Sequence, residues 1–155
     1  MLDRTEFLKV IQATPLVSID LIVRNPRDEV LLGKRNNAPA KGYWFVPGGR
    51  ILKSESLEQA FARIAHAELG EPLKIDSARL IGVFEHHYPD NVANDAFATH
   101  YIAIGMQLQV KRALTEMPCQ QHAQYQWMTV DTLLKDSRVH QNTKDYFLSS
   151  RGLRA

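Results

Sequence analysis

The stretch from Ser54 to Gly70 constrains the fold of this chain more than any other. It is rich in strong helix formers and contains no proline. Ser54 is the expected N-cap, and Glu55 and Glu58 fall in the first turns, where the helix dipole favours carboxylates. Gly70 followed by Pro72 is a stop signal. Leu57, Phe61 and Ile64 recur at helical spacing and form one apolar stripe, and the next position on that stripe is Glu68. A carboxylate on a core-facing stripe must find a partner or a cation, or else reach water from the last turn, because burying an unpaired charge costs several kcal/mol.

Just before this helix stands Pro47-Gly48-Gly49-Arg50. Glycines let the backbone approach a ligand or metal closely and expose carbonyls as hard oxygen donors. Around this centre the chain alternates strand and helix signals. A short helix is expected over Arg4 to Gln12, ending before Pro15. Leu16 to Val23 and Val30 to Leu32 read as strands joined through Asn25-Pro26-Arg27-Asp28 in a hairpin. Leu80 to Tyr88 and Thr99 to Val110 are long strand-like runs, and Tyr125 to Trp127 is a short one. Short helices are expected near Val130 to Leu134 and Thr143 to Leu148. Hairpins outnumber βαβ crossovers, so the fold class is α+β, a mixed sheet with helices on its faces.

The chain of 155 residues fits one domain, residues 1–155, with enough length to bury a core. A net charge of +2 is too small to argue for nucleic acid or a membrane surface as partner. Cys119 is the only cysteine, so no internal disulfide forms, and the charged N-terminus carries no apolar signal stretch. The expected location is a reducing cytoplasm. The longest apolar run, Leu16 to Val23, is too short to span a bilayer.

Gly49, Glu55, Arg63, Glu68 and Gly70 match the spacing of the Nudix box, Gly-x5-Glu-x7-Arg-Glu-U-x-Glu-Glu-x-Gly-U, where U is bulky and apolar. The chain therefore resembles the Nudix hydrolases. That resemblance implies a mixed β-sheet sandwiched between helices, a divalent metal, and a nucleoside-diphosphate-linked substrate. Three positions depart from the box: Ile64 and Ala67 replace glutamates, and Glu71 replaces an apolar residue. Similar departures characterise the GDP-mannose mannosyl hydrolase branch. The likeness to that branch extends to Leu32-Gly33-Lys34-Arg35, to Gly42 through Arg50, to Thr99-His100-Tyr101 and to Gln121-His122.

The resemblance implies hydrolysis of GDP-mannose or GDP-glucose to GDP and free sugar, by water attack at the anomeric carbon with inversion. It assigns Mg²⁺, with Mn²⁺ as a substitute, to Glu68, the backbone carbonyl of Gly48 and the side-chain carbonyl of Gln121. His122 is then the general base, since an imidazole takes a proton from water near neutral pH. Arg35, Arg50 and Arg63 are candidates for the diphosphate, although Arg63 is equally suited to an ion pair with Glu55. Tyr101 is a candidate donor to a phosphate oxygen. Asp20 and His86 are candidates for sugar hydroxyls, although Asp20 also reads as a strand residue facing solvent. His86 and His87 should face opposite sides of the sheet. His66 should face solvent, and Trp44 and Phe45 should be core. A homodimer with a small-molecule substrate is the expected assembly. Two other functions remain open: a Nudix pyrophosphatase cutting P–O–P, and a non-catalytic nucleotide-sugar-binding domain.

Overall fold

The computed structural model describes residues 2–93, 97–111 and 122–155, with His122 and Ala123 described in their backbone only. The elements run α1 (Arg4–Ala13), β1 (Leu16–Arg24), β2 (Val30–Arg35), β3 (Trp44–Phe45), β4 (Gly48–Arg50) and α2 (Leu57–Leu69). They continue with a 3₁₀ turn (Ile75–Ser77), β5 (Ala78–Tyr88), β6 (Thr99–Gln109), β7 (His122–Met128), α3 (Val130–Lys135), α4 (Gln141–Asp145) and β8 (Leu153–Arg154). The order across the sheet is β3-β2-β1-β6-β5-β8, with β4 paired to β1 and β7 to β2. This is the expected α+β arrangement, a mixed sheet with helices.

β1 is the keel of the sheet. It runs parallel to β6 over its whole length, from Leu16↔Tyr101 to Arg24↔Gln109. Its other edge pairs antiparallel with β4, through Ser18↔Arg50, Ile19↔Gly49 and Asp20↔Gly48. The expected β1–β2 hairpin is therefore little more than a turn, with Arg24↔Val30 as its register pair. Asn25 Oδ1 closes that turn by accepting from the amides of Arg27 and Glu29. A strand covered on both faces reads as a near-continuous apolar run, and β1 does so apart from Ser18, Asp20 and the terminal Arg24.

Alternation along β1 feeds two cores. Ile19, Leu21 and Val23 pack with Phe61, Ile64, Ala65 and Leu69 of α2 on one face. Ile22 packs on the other face with Trp44, Val46, Phe84, Leu133 and Tyr146. Asp20 shares the side of Ile22, so it faces the C-terminal helices rather than α2. His86 is buried and His87 exposed, on opposite sides of β5 as expected, and His66 is exposed. Among the described residues no helix is long and apolar enough to cross a membrane.

The helix carrying the box differs from the expectation at its start. Its N-cap is Ser56, whose side chain accepts from the Gln59 amide while the Gln59 side chain accepts from the Ser56 amide. Ser54 instead takes φ 69° in the loop before the helix. Leu57 thus becomes the first helical residue and stays 49% exposed, and the buried stripe begins with Ala60 and Phe61. Gly70 ends the helix in the left-handed conformation, φ 78°, with its amide bonded to the His66 carbonyl. Ser56→Ala should therefore cost about 1 kcal/mol of stability, and Ser54→Ala should not lose a cap. Urea unfolding of both variants checks this, and equal losses would contradict the assigned cap.

Candidate active site

The Gly48-Gly49 pair lets β4 pass between two crowded neighbours. A Cβ on Gly48 would stand 2.7 Å from Asp20 Oδ1 and 2.9 Å from the Ile19 carbonyl oxygen. A Cβ on Gly49 would stand 3.1 Å from Ile64 Cγ1. Ile64, which replaces a box glutamate, is thus a buried hydrocarbon wall against the glycine turn. Its substitution removes a carboxylate from beside that turn.

Beside β4 opens a cavity of about 370 Å³, within the usual range for small-molecule sites. Asp20, Arg35, Gly48, Arg50, Arg63, His86 and Tyr101, seven of the residues singled out from the sequence, all line it. Phe7, Ser18, Asn37, Tyr88 and Val92 line it too, with no signal in the sequence, and so does Phe45, which the sequence assigned to the core. Glu68 is not among the lining residues. It is 2% exposed and sits one turn beyond Ile64 on the buried face of α2. Gln121 lies outside the described residues. His122 opens β7 and is the register partner of Arg35, so the backbone sets it beside a cavity-lining arginine.

The three arginines are held in two ways. Arg63 donates Nε to Glu55 Oε1 at 2.5 Å, one terminal nitrogen to Glu55 Oε2 at 2.8 Å, and the same nitrogen to the Arg50 carbonyl at 2.7 Å. The sequence left Arg63 open between a phosphate and Glu55, and here it is paired with Glu55. Hydrogen bonds from the Arg63 side chain and the Leu52 amide hold the Glu55 carboxyl down at about 2. The pair therefore stays charged at neutral pH. Arg35 lies over the Phe45 ring at 5.2 Å, and Arg50 over the Phe7 ring at 4.0 Å. Such stacking leaves guanidinium edges available for planar contacts with anions. With Arg63 neutralised by Glu55, the guanidiniums of Arg35 and Arg50 against one lining carboxylate, Asp20, leave the cavity wall electropositive.

Asp20 and His86 form the other polar group. Asp20 Oδ2 accepts from Tyr146 Oη at 2.6 Å, and Asp20 Oδ1 accepts from Ser18 Oγ at 3.1 Å. Asp20 is therefore turned inward, not out to solvent. His86 is 3% exposed, with Nδ1 4.0 Å from Asp20 Oδ2 and Nε2 lacking a hydrogen-bond partner among the described residues. Burial lowers the His86 pKa more than the Asp20 charge raises it, so its imidazole is neutral at neutral pH. Burial also pushes the Tyr101 phenol up, keeping it a donor. Trp44 is core, whereas Phe45 is buried but lines the cavity, stacked on His140 at 4.7 Å. His100 stacks on His87 at 4.2 Å and does not line the cavity. Among the described residues no group of three or more His, Cys, Asp or Glu side chains is placed to hold a metal.

Comparison with known proteins agrees with this architecture. The NUDIX domain model matches residues 14–148. The low-salt glycan biosynthesis protein Agl8 of Haloferax volcanii is 40% identical over 119 residues, 77% of this chain and 74% of that protein. An ADP-ribose pyrophosphatase of Methanocaldococcus jannaschii is 37% identical over 70 residues, 45% of this chain and 40% of that protein. The crystal structure of a MutT protein from Methanosarcina mazei superimposes with a TM-score of 0.69 at 24% identity, covering 87% of this chain and 92% of the other. The domain model spans well over half of the chain, and the chain belongs to the Nudix hydrolases.

Proposed function

We propose that this Nudix hydrolase cleaves a GDP-sugar, GDP-mannose or GDP-glucose, at the bond between the anomeric carbon and the diphosphate. The observation that carries the reading is one cavity lined both by stacked arginines and by the Asp20–His86 pair, whose Nε2 has no partner among the described residues. Cationic planar groups fit a diphosphate, and a carboxylate beside a neutral imidazole fits sugar hydroxyls. Water attacks the anomeric carbon, the bond from that carbon to the phosphate oxygen breaks, and GDP departs. The proton lost by the water passes to His122. As in inverting glycosidases, the base acts from the face opposite the leaving group. Arg35 and Arg50 offset the charge growing on the departing diphosphate, and Tyr101 donates to one of its oxygens.

Nudix hydrolases work with divalent cations such as Mg²⁺ or Mn²⁺. In this reading Glu68, the Gly48 carbonyl and Gln121 hold the ion. This all-oxygen donor set, completed by waters, fits Mg²⁺ and does not resemble a zinc site. When bound, such an ion supplies further charge neutralisation at the diphosphate. The buried Ile64 in place of a carboxylate supports a site with fewer acidic ligands than the box pattern provides. The relative named for glycan biosynthesis is in keeping with sugar chemistry.

A second reading, cleavage of the P–O–P bond, is favoured by the likeness to an ADP-ribose pyrophosphatase. Turnover in ¹⁸O-labelled water with Mg²⁺ decides between them. The expected result is label in the free sugar and none in GDP. Label in a nucleoside monophosphate or a sugar phosphate would establish the pyrophosphatase instead.

A further inference from the structure

We propose that Tyr146 is a positioning residue for this cavity: it holds the Asp20 carboxylate in the orientation in which that carboxylate meets a hydroxyl-bearing ligand. The proposal rests on the reading of Asp20 as a sugar-facing group. Tyr146 does not line the cavity, and it follows directly on the C-terminal helix α4, 126 residues from Asp20.

The carboxylate is held from three directions. Tyr146 Oη donates to Oδ2 at 2.6 Å, and Ser18 Oγ donates to Oδ1 at 3.1 Å. The third side is the backbone of β4, because even a methyl group on Gly48 would stand 2.7 Å from Oδ1. The terminal torsion of an aspartate is broad, so without such contacts its oxygens would sweep a range of directions. With one lone pair on each oxygen committed, the remaining acceptor directions are fixed. The strongest of the two hydrogen bonds by length is the one from Tyr146.

Tyr146 is itself set in a made-to-measure slot. A Cβ on Gly105, the β6 register partner of Asp20, would stand 3.1 Å from Tyr146 Cε1 and 2.9 Å from Ile81 Cγ1. A glycine there leaves the space in which the ring lies. The ring meets Phe84 edge-on at 4.6 Å and His86 at 5.5 Å. Burial, reinforced by the Asp20 charge, raises the phenol well above its ordinary range, so it stays a donor. Arg154 of β8 then fixes the backbone that carries Tyr146. It donates to the carbonyls of Tyr146 at 3.0 Å, of Asp145 at 3.1 Å and of Leu148, with its guanidinium 4.9 Å over Phe84.

A double-mutant cycle tests this, with steady-state kinetics on GDP-mannose and GDP-glucose and with GDP affinity measured by calorimetry. Tyr146→Phe should lower kcat/KM about 10-fold, the scale of one hydrogen bond to a charged group. It should leave GDP affinity unchanged, because GDP lacks the hexose whose hydroxyls Asp20 is proposed to meet. In an Asp20→Ala background the same change should cost less than about twofold, since coupled sites are non-additive. Arg154→Ala should give a smaller loss that also vanishes in the Asp20→Ala background, and it keeps the proposal testable if the tyrosine variant folds poorly. Equal losses in both backgrounds, parent-level activity in Tyr146→Phe, or a parallel fall in GDP affinity would each overturn it. A parent enzyme that instead cuts P–O–P bonds contradicts the sugar-hydrolase reading alone, and the cycle is then run on that substrate with the same outcomes deciding.

Discussion

His122→Gln should lower kcat by about 10²–10⁴-fold, the span lost when a general base is removed. The register places the His122 backbone beside Arg35, a cavity-lining residue, on neighbouring strands. In the parent, kcat should rise with pH as the imidazole loses its proton and then level off, because only the neutral form accepts a proton from water. That acidic limb should disappear in the variant. Affinity for Mg²⁺ should change little, since the proposed ligands remain. A strongly basic external nucleophile should recover part of the rate. The check is a pair of pH–rate curves at saturating Mg²⁺. If the variant keeps the limb, the base is elsewhere, and the buried neutral imidazole of His86 in the cavity wall is the next to test. His100, stacked on His87 away from the cavity, is not.

Glu68→Gln should cost roughly 10³-fold in Mg²⁺-dependent turnover, because a metal at a departing diphosphate is worth several kcal/mol and each 1.4 kcal/mol is a factor of ten. Glu68 is the buried carboxylate of α2, at 2% exposure, on the face it shares with Ile64. Glutamine keeps the shape and much of the hydrogen-bonding capacity while losing the charge, so in chelator the variant should stay folded and melt near the parent. Added Mg²⁺ should raise the parent's melting temperature by mass action and leave the variant unmoved. A variant that melts far below the parent in chelator would make Glu68 a structural carboxylate and remove it from the metal site.

Local chemistry was legible in the sequence, and long-range register was not. The box helix announced itself through helix formers, periodicity and the Gly70 stop, since all of these act within a few residues. Its start was misplaced because two serines stand two residues apart, and the choice of Ser56 depends on Gln59 closing the capping box. Leu57 was assigned to the core for the same reason. Periodicity places residues on a face but does not say where the face meets the sheet. Asp20 drew notice as a carboxylate in an apolar strand, yet its donor Tyr146 carried no signal of its own. That contact depends on β1 lying parallel to β6, with Gly105 opposite Asp20. The strand neighbours of β1 were likewise invisible: a tight Asn-Pro-Arg-Asp turn suggests a hairpin, but the twin glycines let β4 take most of the edge that β2 would have occupied. Arg63 balanced evenly between two roles because its spacing to Glu55 serves either one. The structure shows the ion pair, and a ligand anion would have to compete with Glu55 for it.

The bond from Tyr146 to Asp20 also bears on how the protein is made. Synthesis proceeds from the N-terminus, and a domain folds as a unit once its chain is available. The box helix and the glycine turn meet each other and β1 within the first half of the chain, with Met106 and Leu108 completing their core, whereas Asp20 waits for a residue 126 positions downstream. Contacts so distant along the chain form late, because loop closure must precede them. A nascent or shortened chain can therefore already carry the family's signature while its cavity still lacks one of the groups that shape it. Recognition of the ligand is a property of the finished molecule, and the family motif alone does not confer it.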